Sequence, residues 1–200
     1  RLRELFEHTC GGHGSILGIV GEPGIGKTTL VETFLRSLGN LCDIGRGRCS
    51  ERLAGAEPHL PVLEALDEIT AADPTLVDVL RVAAPTWLLH VARPLHGPGM
   101  TVGAPEVTGT GSPDRLMREL TTFLEEASRR RPIVILIEDL HWADVATIDL
   151  LAHLAPRLAR ARLLLLITYR QREMLVLQHP FARLRGELIA RAHLDEMHVS

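Results

Sequence analysis

SILGIVGEPGIGKTTL, residues 15–30, decides how this 200-residue chain is read. It runs from a short apolar stretch through a glycine-rich turn into a lysine, two threonines and an apolar helix start. Residues 21–28, GEPGIGKT, match the phosphate-binding loop pattern G-x-x-x-x-G-K-[ST] at each fixed position. The residue types follow from the task. Gly21, Gly24 and Gly26 let the backbone curl so that its N–H groups point inward at phosphate oxygens. Glu22, Pro23 and Ile25 fill the variable positions. The following helix adds free N–H groups and the positive end of its dipole. Lys27 can reach the β- and γ-phosphates, the Thr28 hydroxyl can ligate Mg²⁺, and Thr29 continues the helix start. The flanks suit the motif, with a strand expected over 16–20 and a helix over 27–38 that Gly39 stops.

The bulk composition narrows the classes. Hydrophobic residues make up 46% and charged residues 24%, as in ordinary globular chains, while aromatics reach only 4%, so aliphatic side chains must build the core. A net charge of −3 argues against a broad nucleic-acid footprint. Cys10, Cys42 and Cys49 have no C-x-x-C spacing and read as reduced thiols. No H-E-x-x-H pattern marks a metal cluster, no run is long enough to span a membrane and no signal peptide opens the chain. A cytoplasmic location is the expectation. The abrupt ends suggest a fragment of something longer, one domain over 1–200.

The rest of the chain alternates strands and helices. A helix is expected over 1–8 and a strand over 42–49, where Gly45 and Gly47 leave room for close approach by another group. Residues 60–69, 74–82 and 86–92 read as helices with no strand between them. They point to a helical and loop insertion over 52–112, with Asp73 as a helix N-cap. Residues 96–113 are rich in Gly and Pro and read as a surface loop. Helices over 113–130, 145–158 (capped by Asp144) and 181–190 alternate with strands over 133–137, 163–167 and 194–199. The basic run 129–131 reads as a solvated helix end. The expected class is α/β, a three-layer phosphate-loop NTPase with a mostly parallel central sheet.

Apolar strand 133–137 runs directly into Glu138-Asp139, the pattern of a strand delivering acids to Mg²⁺ and the attacking water. Strand C-termini of a parallel sheet share one edge, so these acids should meet Lys27 and Thr28. Arg170, just past the next strand, should reach the same edge as a sensor of the γ-phosphate. The expected catalytic set is Lys27, Glu138, Asp139 and Arg170, and the metal set is Thr28, Glu138 and Asp139, with the division of labour between the acids left open.

Three pieces, IEDLHWAD (137–144), GEPGIGKTTL (21–30) and ITYR (167–170), resemble the ATPase domain of the STAND class, signal-transduction ATPases related to the AAA type. GRGRCSE (45–51) and PVLEAL (61–66) resemble that family's second strand and next helix. The similarity is to the domain found in large bacterial regulators with a LuxR-type DNA-binding output and beside nucleotide cyclases. The resemblance implies ATP or ADP with Mg²⁺ as cofactors and slow hydrolysis serving a signalling switch. It also implies a winged helix, repeats and an output domain as partners, and self-assembly in the ATP-bound state. The chain departs from the family's usual Asp-Asp pair by having Glu138, and it holds no convincing arginine finger. Two rival functions remain, a non-hydrolysing ADP/ATP-binding interaction module and a small-molecule kinase. A loop over 96–113 without Arg weighs against the kinase.

Overall fold

A computed structural model of the chain describes residues 1–51, 58–91 and 112–199. Among them, β1 (Ser15–Val20), β2 (Asp43–Arg48), β3 (Ile133–Glu138), β4 (Leu163–Tyr169) and β5 (Leu194–His198) form one sheet in the order β2-β3-β4-β1-β5. Every pairing is parallel, with Leu17 opposite Leu166 and Asp195, and Ile135 opposite Leu165 and Gly45. The central strands β3 and β4 are apolar almost throughout and buried on both faces, as a parallel sheet covered by helices requires.

The period-two alternation of strand side chains sorts the core into two layers. Leu17, Ile19, Val134, Leu136, Leu164 and Leu166 face α1 (Leu2–Cys10) and α2 (Lys27–Leu38), where Phe6, Val31, Phe34 and Leu35 meet them. Their neighbours Ile16, Ile133, Ile135, Ile137, Leu163 and Ile167 face the opposite layer. That layer contains α3 (Leu60–Ala72), α4 (Thr75–Ala83), α5 (Pro85–Val91), α6 (Pro113–Arg130), α7 (Val145–Leu158) and α9 (Phe181–Ala190). Each fully buried Leu or Ile contributes about 1.5–3 kcal/mol of transfer free energy. Trp87 of α5 is buried too, and its indole N–H donates to Leu116 O at 2.8 Å, so its polar end is satisfied.

Helix starts follow their sequence signals. Asp144 caps α7, its carboxylate accepting from Thr147 N at 2.9 Å and from the Thr147 hydroxyl at 2.5 Å. Asp73 acts one residue further out than its expected N-cap place. It accepts from Thr75 N at 3.0 Å and the Thr75 hydroxyl at 2.7 Å, while Pro74 occupies the cap position of α4. The six-residue α8 (Gln171–Val176) was not foreseen, being too short to show a period.

β2 is an edge strand with α3 laid directly across it. A Cβ on Gly45 would stand 2.5 Å from Ala65 O, and one on Gly47 only 1.7 Å from Pro61 O. The glycines therefore admit a helix backbone against the strand, the close approach their positions predicted. Of the segment 52–112, α3, α4 and α5 are described, whereas residues 52–57 and nearly all of the Gly/Pro-rich stretch lie outside the described residues. The basic run at the end of α6 differs from expectation at Arg131. Its guanidinium reaches Asp43 Oδ1 at 3.1 Å and donates to Asn40 O, tying the helix end to the start of β2. Asp43 is buried, so an unpaired carboxylate there would be costly.

Candidate functional site

The sheet sets the geometry. All five strands end on one edge, and β4 lies between β1, which delivers the loop 21–26, and β3, which delivers Glu138 and Asp139. Residues at the end of β4 therefore stand between loop and acids.

The loop leaves β1 at Val20 and enters α2 through Gly26. Gly24 and Gly26 have φ of +74° and +98°, with nothing within 4 Å of where a Cβ would be. Here glycine answers a backbone requirement, unlike Gly47, which answers a spatial one. Glu22, Pro23, Gly24 and Ile25 are exposed, as are Thr28 and Thr29 at the start of α2, so the rim is open to a ligand.

Lys27 is buried, 8% exposed, and curls back over the loop. Its Nζ donates to Gly21 O at 2.8 Å and to Glu22 O at 2.9 Å. Burial holds its pKa below the ordinary lysine value and the Arg170 guanidinium lowers it further, while Asp139, Glu173 and Glu22 pull it back up. An ammonium ion crowded by a second cation has a strong electrostatic reason to accept an anion.

The Thr28 hydroxyl donates to Glu138 Oε1 at 2.7 Å, joining residues 110 positions apart. Asp139 is placed differently. Its φ is +54°, a left-handed conformation that Asp tolerates, and it heads the tight turn Leu140–Trp142. Its N–H donates to the Thr168 hydroxyl of β4 at 3.0 Å, and its carboxylate lies 3.3 Å from an Arg48 guanidinium nitrogen. The two acids thus point to different partners, Glu138 to the loop side and Asp139 to the β2 side.

Arg170 follows β4 at the N-cap of α8, and its NH1 donates to Glu173 Oε1 at 2.8 Å. Its Nε is buried without a hydrogen-bond partner among the described residues. The other oxygen of Glu173 is 3.1 Å from His141 Nε2, and His141 is fully buried. The hydrogen bond from Arg170 holds the Glu173 carboxyl below its usual range, and burial holds His141 below the usual histidine value. Arg172 reaches Glu22 at 3.3 Å, so α8 also touches the loop. Trp142, Arg170, Arg172, Glu173, Val176 and Leu177 line an open depression of ≈ 380 Å³ beside it.

Lys27, Thr28, Glu138, Asp139 and Arg170 therefore converge on one edge. Sequence reasoning missed Arg48, Thr168 and Glu173. Thr168 lies inside ITYR and Arg48 inside GRGRCSE, so both stood within stretches already singled out. Nothing in the sequence marks Glu173, because its meaning depends on α8. Among the described residues no three His, Cys, Asp or Glu side chains converge as a cation cage.

Residues 1–167 match the family model described as the AAA ATPase domain. No curated protein matches the chain. Among solved structures, it is similar to a chain in the structure of Drosophila ORC bound to AT-rich DNA and Cdc6, at 16% identity and TM-score 0.49, covering 100% of this chain and 54% of that one. It is also similar to a chain in the structure of Drosophila ORC bound to DNA, at 16% identity and TM-score 0.42, covering 99% of this chain and 89% of that one. The chain thus spans about half the length of the first of these.

Proposed function

The chain belongs to the AAA ATPase domain family, and from that premise we propose that it binds ATP with Mg²⁺ and hydrolyses it slowly as a signalling switch. The observation that carries this is the 2.7 Å contact between Thr28 and Glu138. Two neighbouring ligands of an octahedral Mg²⁺, each at about 2.1 Å, lie about 3 Å from one another. The hydroxyl and carboxylate oxygens are spaced to share such an ion, which is typically held by one or two carboxylates plus substrate phosphates. The open, positive-φ loop and the loop-bound Lys27 fit a phosphate in the same way.

When bound, the metal neutralises charge developing on the phosphates. Lys27 exchanges its two loop carbonyls for phosphate oxygens. Glu138, already on Thr28, takes the metal side. Asp139, held by Thr168 and Arg48, orients and polarises the attacking water. Arg170 meets the γ-phosphate. The three motifs quoted above support the finer reading, a STAND-class domain in a multidomain bacterial regulator of the LuxR-output kind.

Single-turnover hydrolysis tests this. Lys27→Ala should abolish Mg²⁺-dependent ATP binding, and Asp139→Ala should slow hydrolysis by about a hundredfold while leaving binding nearly unchanged. Equal rates for wild type and Asp139→Ala would overturn the hydrolytic reading and leave a nucleotide-binding interaction module.

A further inference from the structure

We propose that Glu173 sets the preference of this site for ATP over ADP, by holding Arg170 until a γ-phosphate takes its place. The inference rests on the nucleotide-binding reading above and goes beyond it to a residue that neither the motifs nor the family match assigns.

The geometry is specific. Arg170 and Glu173 are three residues apart, on either side of the first turn of α8, and NH1 sits 2.8 Å from Oε1. The other oxygen of Glu173 faces the buried ring of His141, 3.1 Å from Nε2, and that nitrogen has no hydrogen-bond partner among the described residues. Arg170 lies close enough to Lys27 to lower its pKa, and its Nε has no hydrogen-bond partner among the described residues. The guanidinium is thus only partly satisfied where it stands. A carboxylate and a phosphate present similar paired oxygens to an Arg fork, which makes Glu173 an internal stand-in for the phosphate.

The consequence is a competition. The γ-phosphate gains the NH1 donor of Arg170 only by breaking the pair with Glu173, so to that extent the pair is subtracted from ATP affinity. ADP brings no γ-phosphate and leaves the pair intact. Both side chains are about one-third exposed (30% and 33%), so the pair has the strength of a partly screened ion pair, a factor of about three in binding.

The test measures ATP and ADP dissociation constants with Mg²⁺ present, for wild type, Glu173→Gln, Glu173→Asp, Arg170→Ala and the Arg170→Ala/Glu173→Gln double variant. Glu173→Gln keeps the shape and removes the charge. Glu173→Asp keeps the charge and draws it back by one methylene. Both should tighten ATP by about threefold and leave ADP unchanged. In the Arg170→Ala background, Glu173→Gln should have no effect on either nucleotide. Unchanged ADP binding also shows that the variants remain folded. An unaltered ATP-to-ADP ratio in both Glu173 variants overturns the proposal, as does an equal gain in the absence of Arg170. Failure of the underlying reading looks different, because wild type would then bind neither nucleotide.

Discussion

Replacing Gly47 by Ala asks whether α3 truly rests on the backbone of β2. The added Cβ would lie 1.7 Å from Pro61 O, 2.4 Å from Pro61 C and 2.8 Å from Pro61 Cα. Real Cβ atoms do not come closer than 3.0 Å to such neighbours, so the first turn of α3 must retreat by at least about 1.3 Å. The obstacle is helix backbone, which cannot swing aside as a side chain would. A retreat also lifts Leu63 and Leu66 of α3, both buried. Overpacking alone costs about 1–3 kcal/mol, and loosened contacts add to it. The expected loss is about 3 kcal/mol, a large share of the 5–15 kcal/mol that roughly describes a domain's stability. Urea unfolding reads this directly, since at a slope of about 2 kcal/mol per molar the midpoint should fall by about 1.5 M. Gly186→Ala is the matched control. It lies inside α9 with nothing within 4 Å of its Cβ position, so it should raise stability by about 0.5–1 kcal/mol. A Gly47→Ala protein within 1 kcal/mol of wild type, on the order of the control's own effect, would refute the close-packed arrangement of β2 and α3.

Other expectations concern the site and its surroundings. Thr28→Val removes the hydroxyl that meets Glu138; titration calorimetry should show the Mg²⁺-dependent part of ATP binding lost by about tenfold or more, with metal-free binding little changed. Arg185→Met breaks a two-pronged contact to Glu196, at 2.6 Å on each prong, a carboxylate that also accepts from the Tyr169 hydroxyl; leaving it partly buried without its arginine should cost about 3 kcal/mol by chemical denaturation. His59, with φ +63° and Nδ1 unpartnered among the described residues, has its pKa held below 6.5 by burial. The unfolded chain then binds this proton more readily than the folded one, so its contribution to stability is full above pH 6.5 and falls as pH drops toward the depressed folded value. His59→Asn, which tolerates the same backbone, should therefore lose less stability than wild type between pH 7.5 and 5.5; parallel pH curves would count against this.

Much of the candidate site is legible in the sequence, and the reasons are physical. The loop 21–28 and the acids after β3 are local signals, because a tight turn needs particular residues and a buried strand needs apolar ones. Helices α2, α7 and α9 and the capping role of Asp144 likewise follow from neighbours in sequence. What stayed hidden depends on tertiary placement. The pairing of Arg48 with Asp139 joins residues 91 positions apart, and the support of Asp139 by Thr168 joins residues 29 apart. No periodicity encodes that β4 and β5, and not β2, flank β1. The hydrogen bond from Thr28 to Glu138 is likewise long-range, joining residues 110 positions apart.

The strand order also acts as a ruler. Adjacent strands stand about 4.8 Å apart, so with β4 between them β1 and β3 are separated by about 9.6 Å. Side by side, the two would leave a slot too narrow for a phosphoryl group and a water molecule together. The intervening strand opens a gap of roughly that combined size and furnishes its floor. Across those two spacings the side chain of Glu138 and the hydroxyl of Thr28 meet at 2.7 Å.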